Sequence, residues 1–221
     1  MRWVALMPLR GGSKSIPRKN LLEVGGRPLF AWSLEAAVTA QVFDEVVVAS
    51  DDAEIRAAVT AAFGAAVTVL DRRAENASDT ASSEAVMCEV LAQRPCDVLA
   101  LVQATSPLTT AADFVAARAR FERDELDSLL TAVRWKRFVW SDDARPLNYD
   151  PAARPRRQDF AGALVENGAF YLTRSTLLEC GGSRLGGRIG IHEMGADTLV
   201  EIDEPADLAE VARLLAARRG A

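Results

Sequence analysis

RWVALMPL, residues 2–9, is a short apolar run that leads into the glycine-rich stretch LRGGSKSIPRKN, residues 9–20. The apolar run predicts a buried β-strand that ends where the glycines begin. The stretch after it carries Arg10, Lys14, Arg18 and Lys19 and no acidic residue, although the formal net charge of the chain is -5. The positive charge is therefore local, and it indicates a small anionic ligand at the end of the first strand.

Strands and helices alternate downstream of this loop. The predicted strands are DEVVVAS (44–50), AAVTVL (65–70) and CDVLALVQ (96–103), and the predicted helices are PLFAWSLEAAVTAQ (28–41), DDAEIRAAVTAAF (51–63), SSEAVMCEVLAQR (82–94) and TTAADFVAARARF (109–121). Proline at a first helical position, acids or a serine cap at helix starts, and Gly64 as a stop support these assignments. This alternation predicts an α/β fold with a doubly wound, mainly parallel sheet.

Polar segments follow each of these strands. They are the basic loop, Ser50–Asp52, Arg72–Ser83 and Gln103–Thr109. Because ligands bind beyond the carboxyl ends of parallel strands, we expect the four segments to meet at one rim of the sheet.

The pattern changes between about residues 134 and 195. Aromatic residues, prolines and charges are mixed there without a long helical period, which predicts a loop-rich insertion in a single domain spanning 1–221. Within it AFYLTR (169–174) and GRIGIHEM (187–194) are predicted strands around the glycine-rich CGGSRLGG (180–187). The chain closes with LVEIDEPADLAEVARLLAARR (199–219), predicted as strand, turn and amphipathic helix.

Composition excludes several classes of protein. Charged residues make up 26% of the chain, too many for a membrane-spanning protein, and the acidic balance argues against a nucleic-acid binder. Three cysteines with no CxxC pair indicate neither a disulfide framework nor a structural zinc site. The start MRWVALMPLRGG lacks the longer apolar stretch of a signal peptide, so we expect a cytoplasmic protein.

The basic loop has the ingredients of a phosphate site. Glycines let backbone N–H groups approach phosphate oxygens, and cations offset polyphosphate charge. Gly11, Gly12, Arg10 and Lys14 supply both, although neither the Walker pattern nor GxGxxG is present. The alternative is a solvated turn whose basic side chains only maintain solubility.

Five segments together resemble the acylneuraminate cytidylyltransferases, the CMP-sialic acid synthetases. They are PLRGGSKSIPRKN (8–20), ASDTASS (77–83), LVQATSPL (101–108), PRRQDFAGALVENGAFY (155–171) and EIDEPADL (201–208). The resemblance implies a Rossmann-like nucleotidyltransferase fold and transfer of CMP from CTP to the anomeric hydroxyl of a sialic-acid-like nonulosonic acid, with release of pyrophosphate. Two alternatives stay open, a Kdo-type or other CTP-dependent nucleotidylyltransferase and an inactive nucleotide-binding regulatory protein.

The resemblance also implies site residues. Nucleotide contacts are expected from Leu9, Arg10, Gly11, Gly12, Ser13, Lys14, Asn20, Arg72, Ser78 and Ser82, and sugar-acid contacts from Gln103, Lys136, Arg157, Asn167 and Tyr171. The residues expected to act in catalysis are Arg10, Lys14, Lys19 and Asp203. Arg157 is the first candidate for the sugar carboxylate because a planar guanidinium matches a planar carboxylate.

The acids of EIDEPADL predict a magnesium site. Glu201 and Asp203 alternate in a predicted strand, so their side chains share one face, and paired oxygen ligands suit Mg²⁺. The family usually has DID here, so Glu201 departs from its pattern, as does Ser15 where glycine is more usual. The alternative is a strand end followed by a helix capped by acids and proline, which explains Glu204 and Asp207 and could explain Glu201 too.

Two further expectations concern residues left out of the site. His192, the sole histidine, is predicted to pack or lie on the surface, and Trp135, Phe138 and Trp140 are predicted to serve packing. The family likeness also implies a homodimer in which the insertion forms the contact and lends residues to the neighbouring sugar pocket.

Overall fold

The computed structural model describes residues 1–12, 15–77 and 81–219. Ser13, Lys14 and Ser78, predicted to contact nucleotide, lie outside the described residues. Within the described ranges, none of the helices combines the length and apolar character that a bilayer crossing requires.

Nine strands and six α-helices are formed in these ranges. The strands are β1 (Trp3–Pro8), β2 (Glu23–Val24), β3 (Arg27–Pro28), β4 (Glu45–Ser50), β5 (Thr68–Asp71), β6 (Val98–Val102), β7 (Ser128–Trp135), β8 (Ala163–Arg174) and β9 (Ile189–Met194). The helices are α1 (Leu29–Ala40), α2 (Ala53–Phe63), α3 (Ser83–Gln93), α4 (Ala111–Arg123), α5 (Ser175–Leu178) and α6 (Pro205–Arg219). The predicted strands and helices of the first 121 residues are confirmed, with bounds that differ by a few residues.

The main sheet has the order β5-β4-β1-β6-β8-β7-β9. Its neighbours pair in parallel except for β8, which runs antiparallel to β6 and β7. Side chains of β1 alternate between two cores: Trp3 lies in one apolar cluster, and Val4 and Leu6 lie in the other. Helices therefore cover both faces of the sheet, as the α/β prediction requires.

Local sequence sets the helix starts at the rim. Asp52 caps α2, with Oδ1 accepting from the backbone N–H of Glu54 at 2.7 Å and of Ile55 at 3.2 Å. Ser82 caps α3, and its Oγ accepts from the Ala85 N–H at 3.1 Å. Capping oxygens satisfy N–H groups that would otherwise lack partners, so the ends of β4 and β5 lead into fixed helix starts.

Strands β7 and β8 extend beyond the rim and form an arm. Val102 at the end of β6 pairs with Phe170, whereas β7 and β8 stay paired as far as Trp135 and Ala163. At the usual strand rise the arm reaches about 20 Å past the end of β6. The structure differs from the sequence prediction here, because ALVENG belongs to a long strand and only residues 136–162 are loop-rich. Because this stretch contains polar residues, the sequence pattern did not indicate the part of β8 that extends beyond the core.

His192 lies on β9 and contacts α4, as predicted for a packing residue. Its Nε2 is 3.3 Å from Asp113 Oδ1, and its ring lies 6.1 Å from that of Phe170. Asp113 also accepts from the N–H of Thr110 in a capping box at the start of α4. Burial acts to raise the pKa of Asp113, but the hydrogen bonds from His192 and Thr110 outweigh it and the pKa is lowered.

Replacing Asp113 by asparagine is expected to reduce the free energy of unfolding at pH 7 by about 1 kcal/mol, because the variant loses a charged acceptor. The pKa of Asp113 is lowered in the folded state. Its contribution is therefore complete above the unfolded pKa of about 4 and is lost as pH falls through the folded value. Urea denaturation from pH 7 to pH 3 should show the two proteins converging. The exposed Asp142 supplies the control, since Asp142→Asn should match wild type throughout; a constant gap would contradict the prediction.

Candidate active site

A cavity of about 440 Å³ opens at the carboxyl ends of β1 and β6. Its lining consists of Pro8, Arg10, Lys19, Asn20, Arg72, Ala81, Ser82, Ser83, Val86, Leu101, Gln103, Ala104, Thr105, Glu201 and Asp203. Side chains from the segments after β1, β5 and β6 meet there, together with the segment before α6. The expected convergence of polar loops at one rim is thus seen for these segments.

Two guanidinium groups lie on one side of the cavity. Arg72 is only 9% exposed, and its Nε is buried without a hydrogen-bond partner. Burial lowers the pKa of Arg72; Asp51 and Glu89 act against that shift, and Arg10 adds to it. A buried cation with an unsatisfied donor and a second cation beside it is stabilised by an anion. This side of the cavity is therefore suited to phosphate or to a polar heterocycle.

The loop after β1 is held by hydrogen bonds to its backbone. Asn20 Nδ2 donates to the carbonyl oxygen of Arg10 at 3.0 Å, and the Gly11 N–H donates to Asp51 Oδ1 at 3.1 Å. A Cβ at Gly11 would lie 2.6 Å from Asp52 Oδ2, whereas one at Gly12 would meet nothing within 4 Å. The backbone at residue 11 can approach the α2 cap only because residue 11 is glycine.

These contacts give a matched pair of substitutions. Gly11→Ala should lower the free energy of unfolding by about 1–2 kcal/mol, because the new methyl displaces the Asp52 side chain from the α2 cap. Gly12→Ala, in open space, should change it by less than about 0.5 kcal/mol. Chemical denaturation of both variants measures the difference. Equal stabilities would show that the loop moves away from the α2 cap at no cost.

Lys19 joins the basic loop to the acidic segment before α6. Its Nζ donates to the carbonyl oxygen of Ile202 at 2.8 Å and to Asp203 Oδ1 at 3.1 Å. The Lys19 side chain is only 13% exposed. An ammonium so placed fixes the position of residues 202–203 and offers positive charge to the same cavity.

The acidic pair differs from the prediction in one respect. Residues 200–203 form no sheet ladder, so the predicted strand is wrong. Ile202 is fully buried, and its N–H donates to the carbonyl oxygen of Thr105 at 3.0 Å. Glu201 and Asp203, on either side of it, both line the cavity. Both acids face the cavity without strand pairing because burial of Ile202 between them fixes which way the segment faces.

Glu201 is held in an unfavourable electrostatic environment. Burial and the neighbouring Asp203 raise the pKa of Glu201 to about 7; Lys19 lowers it and Glu166 raises it. Two carboxylates sharing one cavity wall are oxygen ligands of the kind that Mg²⁺ takes, with water and substrate completing its shell. The pair fits a divalent cation, although no group of three ligand-type side chains occurs among the described residues.

Ser82 and Gln103 form two further walls. The Ser82 oxygen accepts the α3 cap bond, so its hydroxyl proton is directed elsewhere. The Gln103 N–H donates to the carbonyl oxygen of Ala169 at 3.0 Å, which ties the segment after β6 to β8. Ser83 and Thr105 also line the cavity and were absent from the sequence prediction, although both fall inside the quoted ASDTASS and LVQATSPL segments.

Seven of the described residues that were predicted for the site lie outside the cavity lining of this chain, and two of them are Gly11 and Gly12 of the loop after β1. Leu9 is fully buried in the core, and Asn167 is buried with Nδ2 donating to Thr198. Tyr171 is also buried, and its hydroxyl donates to Glu166. Burial is the main cause that raises the pKa of Tyr171, and the hydrogen bond to Glu166 raises it further. Lys136 and Arg157 are exposed in the loop-rich end of the arm. The structure therefore brings the nucleotide and acidic residues together but leaves the sugar-acid set, except Gln103, outside this cavity.

Several known proteins are similar in sequence to this chain. The chain is 38% identical over 211 residues to N-acylneuraminate cytidylyltransferase A of Danio rerio, a match that covers 92% of this chain and 48% of that protein. It is 33% identical to a pseudaminic acid cytidylyltransferase of Campylobacter jejuni, with 79% of each covered. The chain thus spans about half the length of the animal relatives it matches.

Solved structures support the fold. A CMP:2-keto-3-deoxy-manno-octonic acid synthetase complexed with CTP superposes with a TM-score of 0.74 at 23% identity, covering 99% of this chain and 100% of that one. A 4-diphosphocytidyl-2C-methyl-D-erythritol synthase from Anaerococcus prevotii gives 0.70 at 12% identity, covering 97% and 96%. The cytidylyltransferase family model matches residues 4–218. Because this match spans nearly the whole chain, which also forms the predicted sheet and the rim cavity, the chain belongs to the cytidylyltransferase family.

Proposed function

We propose that this protein transfers CMP from CTP to the anomeric hydroxyl of a sialic-acid-like nonulosonic acid and releases pyrophosphate. The observation that carries the proposal is one cavity whose lining includes three basic side chains, Arg10, Lys19 and Arg72, and two acidic ones, Glu201 and Asp203. Relatives named N-acylneuraminate and pseudaminic acid cytidylyltransferases support the choice of sugar.

The reaction is a displacement at phosphorus. The anomeric oxygen forms a bond to the α-phosphorus of CTP, the bond to the β-phosphate oxygen breaks, pyrophosphate leaves and the hydroxyl proton passes to solvent. Such a step needs positioning and charge neutralisation more than covalent help from side chains. In this proposal Arg10 and Lys19 supply positive charge for the phosphates, and Arg72 and Ser82 hold the cytidine end; that all four line the cavity supports these roles.

Mg²⁺ is the cofactor we assign to the acidic pair. Glu201 and Asp203 would hold it, and when bound it would offset phosphate charge and favour ionisation of a coordinated hydroxyl. Lys19 contributes by fixing the segment from which both acids extend.

The sugar-acid contacts and a homodimer belong to the same proposal. Arg157 and Lys136 lie at the end of an arm that extends past the rim, and neither lines the cavity of its own chain. A second copy whose arm covers this cavity would bring Arg157 to the sugar carboxylate. Gln103 lines the cavity, which supports its proposed contact with the sugar.

We place the reaction in the cytoplasm. Cys88 and Cys96 are both free thiols, and the chain has no predicted disulfide framework. Free thiols are the usual state in a reducing compartment.

Pyrophosphate release tests the proposal directly. The purified protein, CTP and Mg²⁺ should release pyrophosphate only when a nonulosonic acid is added, with N-acetylneuraminic and pseudaminic acids tested beside 2-keto-3-deoxy-manno-octonic acid. Turnover with either nonulosonic acid supports the proposal. Turnover with the eight-carbon acid alone would reassign the substrate, and absence of turnover with all three, despite CTP binding, would favour a nucleotide-binding regulatory protein.

A further inference from the structure

The glycine-rich segment CGGSRLGG, residues 180–187, is not used by the proposed reaction, yet its backbone is tightly constrained. A Cβ at Gly182 would lie 1.7 Å from the carbonyl oxygen of Leu177. Gly187 has φ of +61°, and a Cβ there would lie 2.4 Å from Asp127 Oδ2. Only glycine fits at both positions, so the segment is held close against the Leu177 backbone at one end and the Asp127 side chain at the other.

Buried hydroxyls of the sheet hold the middle of this segment. Thr173 Oγ1 donates to the carbonyl oxygen of Arg184 at 2.8 Å. Ser128 Oγ donates to the carbonyl oxygen of Gly186 at 2.8 Å and accepts from its N–H at 3.0 Å. Thr173 and Ser128 are both fully buried. The backbone of Arg184 is therefore placed by the sheet itself.

The Arg184 side chain reaches from this fixed backbone to helix α3. Its Nη1 lies 3.0 Å from Glu84 Oε1, and its guanidinium carbon lies 4.6 Å from the centre of the Tyr171 ring. The Arg184 and Glu84 side chains are 27% and 25% exposed. A planar guanidinium stacked on a ring is restricted before it pairs, so this ion pair is more ordered than one between two solvated side chains.

Glu84 lies in the first turn of α3, which forms a wall of the nucleotide cavity. The middle of α3 is anchored by Val86, Met87 and Val90, which are buried, whereas its first turn is half-exposed. Ser82 and Ser83 at that turn line the cavity. Apolar packing thus fixes the body of α3. Among the described residues, the ion pair between Arg184 and Glu84 ties the first turn of the helix to the sheet.

We propose that Arg184 is a positioning residue for nucleotide binding: it ties the first turn of α3 to the sheet and so sets the wall that Ser82 and Ser83 present to CTP. The inference rests on the proposed function for its ligand, but the tie between Arg184 and α3 is a property of the ligand-free chain. The two can therefore be tested separately.

The experiment compares wild type with Arg184→Met, Glu84→Gln and the double variant. Arg188→Met is the matched control, because Arg188 lies in the same stretch but pairs with Glu125, away from α3. Hydrogen exchange on ligand-free protein should be faster at residues 83–86 in the first three variants and unchanged in the control. Calorimetry should show the Kd for CTP raised about five- to tenfold, with the double variant no weaker than Arg184→Met.

The outcomes separate the inference from the proposed function. Unchanged exchange at the start of α3 in both single variants overturns the inference whatever the ligand is. Faster exchange or a lower Tm with an unchanged Kd for CTP also overturns it, because Arg184 would then serve stability alone. Wild type that binds no CTP overturns the proposed function, and with it the nucleotide part of the inference. If Arg184→Met does not fold, Glu84→Gln gives the same readouts from the other side of the ion pair.

Discussion

Replacing Asp203 by asparagine is expected to lower kcat for CMP transfer by roughly a thousandfold, while the fold persists. Asp203 is 69% exposed, so its contribution to stability is small, and the ion pair it makes with Lys19 is largely solvated. The loss arises because asparagine removes one of the two anionic oxygen ligands that we assign to Mg²⁺. Initial rates of pyrophosphate release at saturating CTP and sugar acid measure the effect, and Mg²⁺ titration by calorimetry should show weaker binding.

Glu204→Gln is the matched control for this experiment. Glu204 is an exposed acid next to Asp203, and it does not line the cavity. The control should retain kcat within about threefold of wild type, because loss of a solvated charge away from the reacting atoms has little effect on the transition state. An Asp203→Asn variant with a normal kcat would show that the metal is held elsewhere.

The parallel half of the fold could be predicted from sequence because its signals are local. Strand β1 buries both faces and reads as an uninterrupted apolar run, and helices α2 and α3 start at residues that cap them. Once the elements alternate as βαβ, the rule for parallel crossovers places every following loop at the same rim. The meeting of the segments after β1, β5 and β6 follows from that topology, whereas Asn20, Arg72, Ser82 and Gln103 were singled out within them by the family resemblance.

The arm could not be predicted in this way. Strand β8 pairs with β6 and β7 over long separations in sequence. Its first half, ALVENG, lies beyond the end of β6, and all of its residues except Asn167 are at least partly exposed. Polar residues are tolerated in such a strand, so its sequence resembles a loop. An irregularity in register between Leu130 and Ala132 further interrupts the period of β7.

Glu201 and Asp203 line one cavity although the strand predicted to carry them is wrong. Their alternation suggested a strand, yet residues 200–203 form no sheet ladder. The two acids share a cavity because buried Ile202 between them packs with Val211 and Leu215 of α6. Burial of Ile202 against α6, and not strand pairing, therefore orients Glu201 and Asp203 toward the cavity.

Replacing Arg157 by alanine is expected to raise KM for the sugar acid by about a hundredfold and to leave the Kd for CTP within about threefold of wild type. The reason is chemical: the guanidinium is assigned to the sugar carboxylate, whereas the phosphates are assigned to Arg10 and Lys19. Steady-state kinetics with varied sugar acid and calorimetry with CTP measure the two effects. Arg156→Ala, at the exposed neighbouring position, should change neither. Equal losses toward both substrates would contradict the assignment.

A mixture of two impaired variants, assayed at a sugar-acid concentration far below the KM of Arg157→Ala, decides whether Arg157 acts on the cavity of another subunit. In a homodimer with shared sites, an Arg157→Ala subunit and an Asp203→Asn subunit together form one doubly damaged site and one intact site. Random pairing of equal amounts makes half the dimers mixed, so about a quarter of wild-type activity should return on co-expression. Asp203→Asn mixed with Lys19→Met should recover nothing, because both residues line the cavity of one chain. Since Arg157 lies outside the cavity of its own chain, a mixture without recovery would leave no route by which it reaches the sugar acid, and the dimeric site would have to be abandoned.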